Sequence, residues 1–231
     1  MPGLSDKLTR QLTPKQVGIT LGIVLAMAAL GIAAYWKLEP QRLDYQARKL
    51  LPQIEAGIRD QQEDLVKALE AYKAHFGVYP PDRGLGRAQP SADGITNALA
   101  YELGGVVYDA QHETFNLAKQ EPADATFVTN FFQCAGFKNS GTNQNQVRTF
   151  LPLDNFSLAQ LHDDPDIYVL RFDPRLPVAD WEVLSRIELT PWRYVSSAPR
   201  HNPGRYDLWV DIWIGGKKTE LGNWPPAAAP H

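Results

Sequence analysis

The stretch from Val17 to Trp36 reads VGITLGIVLAMAALGIAAYW and contains no charged residue. A helix rises about 1.5 Å per residue, so roughly twenty residues cross a hydrocarbon layer of ~30 Å. Tyr35 and Trp36 close the stretch, where aromatic side chains favour the membrane–water interface. The apolar run is longer than the core of a secretory signal peptide and lacks a small-residue cleavage site. The sequence therefore predicts an uncleaved transmembrane helix at 17–36.

Basic residues flank the predicted membrane helix on both sides. The cations before it are Lys7, Arg10 and Lys15, and those after it are Lys37, Arg42, Arg48 and Lys49. Only one acid, Asp6, accompanies the first group. Because positive residues are enriched on the cytoplasmic side of membrane helices, residues 1–16 are predicted to be a cytoplasmic N-terminal segment.

Residues 37–77 have the pattern of an amphipathic stalk helix. Its apolar residues recur at helical spacing, first at Leu50, Leu51, Ile54 and Ile58 and then at Leu65, Leu69, Tyr72 and Phe76. Pro40 and Pro52 each lack a backbone donor, which predicts a kink or a melted turn. Gly77 and the prolines after it predict the end of the helix. The second apolar group is expected to pack on the protein's own domain, and the part near the membrane to meet neighbouring subunits.

The remainder of the chain divides into three segments. Residues 78–185 are predicted to form an irregular αβ insert, 186–224 a C-terminal β region, and 225–231 a disordered tail. The insert is predicted to contain a helix at Thr96–Leu103, a polar loop at Lys138–Val147 and a strand at Ile167–Phe172. We expect it to elaborate a single domain rather than to fold independently.

The C-terminal β region shows the alternation of a half-buried strand. The residues expected to face inward are Tyr206, Leu208 and Val210, and those expected to face outward are Asp207, Trp209 and Asp211. Gly215-Gly216 predicts a hairpin turn after this strand. Thr190-Pro191-Trp192 predicts a turn into a strand with Tyr194 facing inward, and Trp224 is expected to pack the chain end against the sheet.

Composition and motifs argue against several classes of function. The net charge of −3 and the lack of a long basic run exclude an electrostatic case for nucleic acid. The single cysteine, Cys134, excludes an internal disulfide and is interpreted as a lone, partly buried thiol. His112-Glu113 lacks the second histidine of a zinc helix, and neither a Gly-rich phosphate loop nor a G-x-S-x-G elbow is present. We assign no catalytic, cofactor-binding or metal-binding residue and expect that the protein is not an enzyme.

Four short motifs occur in an order typical of one protein family. They are Ala71-Tyr72-Lys73 with Gly77-Val78-Tyr79-Pro80-Pro81-Asp82, then Pro191-Trp192-Arg193-Tyr194, then Gly204-Arg205-Tyr206-Asp207-Leu208-Trp209, and finally Leu221-Gly222-Asn223-Trp224. In this order, at the two ends of the chain, they resemble the major pseudopilin of type II secretion systems, a member of the type IV pilin-like family. The resemblance covers residues 17–83 and 186–224.

This resemblance implies a pilin-like α+β fold, in which a long membrane-spanning helix continues into an amphipathic helix packed on a small antiparallel β-sheet. It implies a structural subunit in the bacterial inner membrane, single-pass, with a periplasmic globular part. The expected partners are other pilin-like subunits or secretion-complex proteins, through the N-terminal helix, and membrane lipid.

Two departures from the family pattern bear on processing and on metal binding. Ile23 stands where prepilin signals carry a glutamate, so cleavage after Gly18 and ordinary filament assembly are both open. The family holds calcium with several aspartates, whereas this chain offers Asp211 and Glu220 beside Lys217 and Lys218. Because calcium needs six or more oxygen ligands, we expect no calcium here and no other cofactor.

Two alternatives to a structural subunit remain. The first is a membrane-tethered periplasmic binding module that forms no filament, in which the insert captures a partner through its aromatic residues Tyr108, Phe115, Phe127, Phe131 and Phe132. The second is a membrane-tethered hydrolase that uses His162, Asp163 or Asp164. These three belong to the densest polar group of the sequence, which we predict to be a solvated loop, because consecutive loop residues rarely point at one centre.

Overall fold

A computed structural model shows an α+β protein in which one long helix packs on antiparallel sheets. The structure describes residues 14–82, 94–117, 120–132, 134, 136–163, 166–172 and 181–225. For residues 14–24, 155, 161–163 and 166 it describes the backbone alone. The predicted N-terminal segment 1–16 and the predicted tail 225–231 therefore lie largely outside the described residues.

Helix α1 (Pro14–Phe76) is continuous over 63 residues, which corresponds to roughly 95 Å. It passes through Pro40 and Pro52 without interruption, so the predicted melted turn is wrong. The helix continues past Pro52 because Ala47 and Ile54, on either side of it, are fully buried in the head and stabilise the flanking turns. The predicted end is confirmed: Gly77 adopts a φ of +78° and its N–H donates to the carbonyl of Lys73 at 2.7 Å.

The insert contributes a small four-stranded sheet and two short helices. Its elements are α2 (Leu99–Gly104), β1 (Val106–Asp109), β2 (Thr114–Leu117), β3 (Ala123–Asp124), α3 (Ala125–Phe132) and β4 (Ser140–Gly141). The strand order is β3-β2-β1-β4, and only the short β1–β4 pair is parallel. The predicted helix at Thr96–Leu103 begins at Leu99, because the Asn97 side chain binds the carbonyls of Gly94 and Trp192 and holds the preceding residues in a turn.

A hairpin of two longer strands follows, β5 (Ser157–Asp163) and β6 (Asp166–Arg171). The strand predicted at Ile167–Phe172 is confirmed to within one residue. The solvated loop predicted around His162 is wrong in part. His162 and Asp163 end β5, paired with Ile167 and Asp166, because the β6 backbone supplies their ladder partners.

The C-terminal region begins with α4 (Trp181–Leu184) and forms a sheet around one central strand. Its strands are β7 (Ile187–Leu189), β8 (Arg193–Val195), β9 (Asp207–Ile214) and β10 (Lys217–Gly222). β10 pairs with one edge of β9, while β7 and β8 pair with successive parts of the other edge. The predicted hairpin turn is confirmed at Gly215 and Gly216, whose φ angles are +56° and +74°. The described strands are thus antiparallel apart from β1 and β4.

One hydrophobic cluster joins the stalk, the insert and the C-terminal sheet. Leu65, Leu69 and Tyr72 of α1 are fully buried in it, which confirms the packing predicted for the end of the stalk. Ile58 and Ala47 are buried as well, so the head covers more of the stalk than the sequence indicated. Residues of the insert and of the C-terminal sheet complete the cluster.

Candidate functional site

The N-terminal part of α1 extends beyond the head and exposes apolar side chains on all sides. The large ones within the described residues are Leu25, Met27, Leu30, Ile32, Tyr35, Trp36 and Leu38, each at least 59% exposed. Contiguous apolar surface of this extent marks a site that contacts lipid or another protein. We call Leu25–Leu38 the projecting segment.

The head begins at Asp44, eight residues beyond Trp36, or about 12 Å along the helix. Asp44 Oδ1 accepts a hydrogen bond of 2.7 Å from Nε of Arg186, in the turn before β7. The turn at Gly215 lies directly against the Asp44 carboxylate, where a side-chain Cβ would collide with it. The positive φ of Gly215 favours glycine there, and any larger residue would also have to displace the Asp44 carboxylate. These contacts fix the lower edge of the head on α1.

The upper part of the stalk is joined to the insert by a buried carboxylate, Glu102 of α2. It is 1% exposed and accepts hydrogen bonds from the Tyr72 hydroxyl at 2.8 Å and from the backbone N–H groups of Lys138 and Asn139 at 3.1 Å. Burial raises the pKa of Glu102, although these hydrogen bonds oppose the shift. Glu102 thus links α1, α2 and the loop before β4 at one point.

A second buried carboxylate, Asp82, holds the segment that follows the stalk. Asp82 Oδ2 accepts hydrogen bonds from the N–H groups of Ser196 and Ser197 and from the Ser197 hydroxyl, at 2.8–3.0 Å. Close by, the hydroxyl of the buried Tyr194 donates to the carbonyl of Pro80 at 2.8 Å. The end of the stalk is therefore attached to β8 through buried polar groups.

The third and fourth family-like motifs meet at the chain end. Asp207 is 3% exposed and accepts backbone N–H groups from Arg200, His201 and Asn202 at 2.6–2.9 Å. The Asn223 side chain accepts from the N–H of Leu208 at 3.0 Å and donates to the carbonyl of Tyr206 at 3.1 Å. The outward-facing position predicted for Asp207 is wrong, because these backbone donors enclose its carboxylate.

Trp224 packs on the sheet as the sequence predicted. Its ring stacks on His201 with centroids 4.0 Å apart and lies 5.8 Å from the ring of Trp209. Tyr194 and Trp192 are fully buried, which confirms the inward orientation predicted for Tyr194. These aromatic residues act as scaffold for the last strand.

The residues expected at a calcium loop, Asp211 and Glu220, lie opposite each other on β9 and β10. Two carboxylates at such a pair repel unless a cation lies between them. Nζ of Lys218 lies 3.0 Å from Asp211 and 3.2 Å from Glu220, while Arg193 contacts the other Asp211 oxygen at 3.0 Å. The outward-facing position predicted for Asp211 is also wrong, since it is buried between these two cations.

This donor set does not fit a calcium ion. Two carboxylates give fewer oxygens than calcium requires, and the Lys218 ammonium already lies between them. Among the described residues, no group of three or more His, Cys, Asp or Glu side chains is placed to hold a metal. The expectation of a calcium-free protein stays a prediction.

Polar side chains outside the predicted His162 loop have other partners in the part of the chain that the structure describes. The His112 imidazole contacts the Asp109 carboxylate at 2.7 Å on an exposed turn, and Ser196 and Ser197 bind Asp82. Cys134 is partly buried, and this burial raises the pKa of its thiol. The thiol is therefore less reactive than that of a solvent-exposed cysteine. The side chains of His162 and Asp163, and the whole of Asp164, lie outside the described residues.

The aromatic residues of the insert divide between core and surface. Phe115 and Phe132 are buried, whereas Tyr108, Phe127 and Phe131 are partly buried against the core. Tyr108 and Phe115 also line a shallow groove of about 540 Å³. The polar side of the groove includes Thr126, Thr129 and Gln146.

In the part of the chain that the structure describes, no helix has the length and hydropathy of a membrane span. The side chains of the first eight residues of the predicted span, 17–24, lie outside the described part of the chain. These residues include Ile23, which stands at the position of the family's glutamate. The transmembrane helix and the cleavage after Gly18 therefore stay predictions.

Comparison with known proteins gives no identification. No family model matches this sequence, and no curated protein and no solved structure matches the chain. The function is therefore inferred from the residues and contacts described above.

The buried Glu102 gives a first prediction. Glu102→Ala would leave the Tyr72 hydroxyl and two backbone N–H groups without a partner, so we expect the free energy of unfolding to fall by about 2–4 kcal/mol. Equilibrium denaturation of the full-length chain in detergent measures this loss, with Glu121→Ala, at an exposed acid of the insert, as the control.

The same residue predicts a pH dependence. The pKa of Glu102 in the folded protein is raised above its ordinary value of 4.5. The contribution of Glu102 to the free energy of unfolding is therefore fully present below pH 4.5, and it is lost as the pH rises through the folded-state pKa. The stability of the wild type relative to Glu102→Gln should therefore decrease from pH 4.5 upward. If the stability difference between the wild type and Glu102→Gln stays constant or increases with pH, the raised pKa of Glu102 is contradicted.

The contacts of Lys218 with Asp211 and Glu220 give a third prediction. Lys218→Met should lower the free energy of unfolding by about 1–3 kcal/mol, because it removes one cation from a buried carboxylate. Lys217→Met, at the exposed neighbouring position, should change it by less than about 0.5 kcal/mol.

The wild-type Tm should be the same with added calcium as with a calcium chelator. A calcium-dependent rise of the wild-type Tm would show that the ion binds here after all.

Proposed function

We propose that this protein is a membrane-anchored, pilin-like structural subunit of a type II secretion or type IV pilus-like assembly involved in protein secretion. In this proposal residues 17–36 cross the bacterial inner membrane, residues 1–16 are cytoplasmic and the head is periplasmic. The observation that carries the proposal is the single helix α1, which packs its C-terminal half on the head and exposes the apolar side chains of the projecting segment.

The arrangement of apolar side chains on the projecting segment supports this role. At 3.6 residues per turn, positions such as Met27, Ile32 and Tyr35 point to different sides of the helix. A helix that is apolar all round is stable only where lipid or other helices surround it. Membrane lipid and neighbouring pilin-like subunits both provide such surroundings, in the membrane and in an assembly respectively.

The position of the head supports the proposal as well. If Trp36 lies at the membrane interface, the lower edge of the head at Asp44 lies about 12 Å above it. The head would then be close to the membrane surface, and the stalks of adjacent copies could contact each other laterally. The contacts of Glu102 and Asp44 join the head to α1 at two levels, and Asp82 holds the segment after α1 to the sheet, so that head and helix would move as one unit.

A second candidate function is a membrane-tethered binding module that does not assemble. The observation that favours it is the groove beside Tyr108 and Phe115, which combines aromatic surface with the hydroxyl and amide groups of Thr126, Thr129 and Gln146. In that case α1 would be only a tether, and the insert would carry the function.

Cysteine cross-linking in native membranes tests the proposed function. Leu30→Cys, in a background of Cys134→Ser, places a thiol on the projecting segment of two differently tagged copies. We expect disulfide-linked dimers that contain both tags, because neighbouring helices in an assembly expose position 30 to one another. Glu121→Cys, on the head, provides the control for random collision.

A Leu30→Cys chain that stays monomeric, alone and with co-expressed secretion-complex proteins, contradicts the structural role. If deletion of residues 105–147 then abolished capture of a partner, the function as a binding module would be favoured over the structural role.

A further inference from the structure

Three basic side chains from separate parts of the chain gather at the end of α1. His75 lies in the last turn of the helix, Lys138 in the loop before β4, and Arg148 in the loop after β4. All three residues are exposed. The half-buried rings of Phe76 and Phe150 lie next to them, with centroids 5.8 Å apart. We call His75, Lys138 and Arg148 the basic cluster.

The two phenylalanine rings bring the three basic groups to one patch of surface. The guanidinium of Arg148 lies 5.4 Å from the centre of the Phe150 ring, and Nζ of Lys138 lies 6.0 Å from the centre of the Phe76 ring. The His75 ring is 4.6 Å from the Phe76 ring and 5.8 Å from the Phe150 ring. Cations are attracted to the faces of aromatic rings at such distances, so these contacts orient the basic side chains.

The loop that carries Arg148 is fixed by the residue next to Lys138. Asn139 is 2% exposed, and its side chain donates to the carbonyl of Arg148 at 2.6 Å and accepts from the N–H of Arg148 at 3.0 Å. The N–H of Phe150 donates to the carbonyl of Leu103 in α2 at 2.9 Å. Because these contacts use the backbone at positions 148 and 150, the loop keeps its place when the side chain of Arg148 is changed.

The contact between Arg148 and His75 defines the hydrogen-bond donors of the cluster. Nη1 of Arg148 lies 3.3 Å from Nδ1 of His75. A guanidinium can only donate, so Nδ1 is the acceptor and the proton of the neutral imidazole lies on Nε2. The cluster therefore presents the Nε2–H of His75, the ammonium of Lys138 and the remaining N–H groups of Arg148.

The positive charge of the cluster has no acidic partner at the surface. Among the described residues, no carboxylate forms an ion pair with any of the three side chains. Glu102 attracts Lys138, but it is buried and bonded to the Tyr72 hydroxyl and to backbone N–H groups. The C-terminus of α1 contributes about half a negative charge. Two full cations therefore lie at one patch with an incomplete counter-charge, which an anion from outside the chain would supply.

We propose that the basic cluster is a binding site for an oxyanion, a phosphate or sulfate group, with Arg148, Lys138 and His75 as its ligands. A tetrahedral group presents oxygens in three directions, which fits donors that come from three parts of the chain. A planar carboxylate presents only two oxygens. The guanidinium matches two oxygens of a phosphate at once, while the ammonium and the imidazole N–H each bind one more.

The position of the cluster limits the source of this group. If Trp36 lies at the membrane interface, as in the proposed function, His75 lies 39 residues further along the same helix, or about 60 Å away. Headgroups of the protein's own membrane are then out of reach. The oxyanion belongs either to a soluble molecule or to lipid headgroups of a second membrane surface that faces the head.

Phosphorus NMR of inorganic phosphate tests the site on the full-length chain in a detergent without phosphate. We expect the wild type to broaden the phosphate resonance saturably, with a Kd in the millimolar range. Arg148→Gln and Lys138→Gln should each weaken this binding about three- to tenfold, as expected for an exposed charge-assisted contact. Lys217→Gln, at an exposed position of β10, is the control and should bind as the wild type does.

Two further measurements separate a specific site from general attraction of charge. Arg148→Lys keeps the charge but loses the planar pair of donors, so it should bind phosphate several-fold more weakly than the wild type. Sulfate should displace phosphate, and acetate at equal ionic strength should not. The inference is wrong if the wild type leaves the resonance unchanged, if Lys217→Gln weakens binding as much as Arg148→Gln, or if acetate competes as well as sulfate.

Vesicle capture identifies the source. The full-length chain is inserted in phosphatidylcholine vesicles with its heads outward, and labelled vesicles that contain phosphatidic acid are added. Capture that Arg148→Gln abolishes assigns the site to a lipid headgroup, whereas phosphate binding without capture assigns it to a soluble molecule; both results support the site. The cross-linking through Leu30→Cys should be unchanged in Arg148→Gln, so the site and the proposed function can fail separately.

Discussion

The structure depends on the burial of one stripe of α1. Ile54, Ile58, Leu65 and Leu69 have no exposed surface, so the stalk is the central element around which the insert and the C-terminal sheet pack. In proteins most helical stability comes from tertiary packing of an apolar face, and this stripe provides it for α1. The same contact explains why the helix continues past Pro52 and why its orientation relative to the head is fixed. The projecting segment therefore continues the same helix from the part that is packed in the core.

Buried acids complete the attachment of the head, and each has partners suited to its position. Asp82 and Asp207 accept backbone N–H groups of turns, and Glu102 joins three elements of the structure. Asp211 instead has the cations of Arg193 and Lys218. A carboxylate buried without such partners would cost several kcal/mol. In the proposed assembly, these contacts would transmit force between the projecting segment and the sheet.

The sequence predicts the features that follow from periodicity and turn chemistry: the end of α1 at Gly77, the hairpin at Gly215, the strand at Ile167 and the inward orientation of Tyr194. It does not predict the burial of Asp207 and Asp211, because alternation along β9 describes one strand and not the loop or the cations that cover its other face. The solitary acid in the apolar run around Glu102 was a signal that could have been recognised. Its partners at Lys138 and Asn139 could not, because they are 36 and 37 residues away.

The central claim is that α1 is one rigid helix with its projecting segment in the membrane and its head on the periplasmic side. Single cysteines at Met27, Leu30, Gln53 and Ala71, each in the Cys134→Ser background, can be treated with a membrane-impermeant maleimide in cells with a permeabilised outer membrane. We predict labelling at positions 53 and 71 and protection at 27 and 30 until the membrane is dissolved. Equal labelling at all four positions, or labelling at 53 only after lysis of the inner membrane, would contradict the claim.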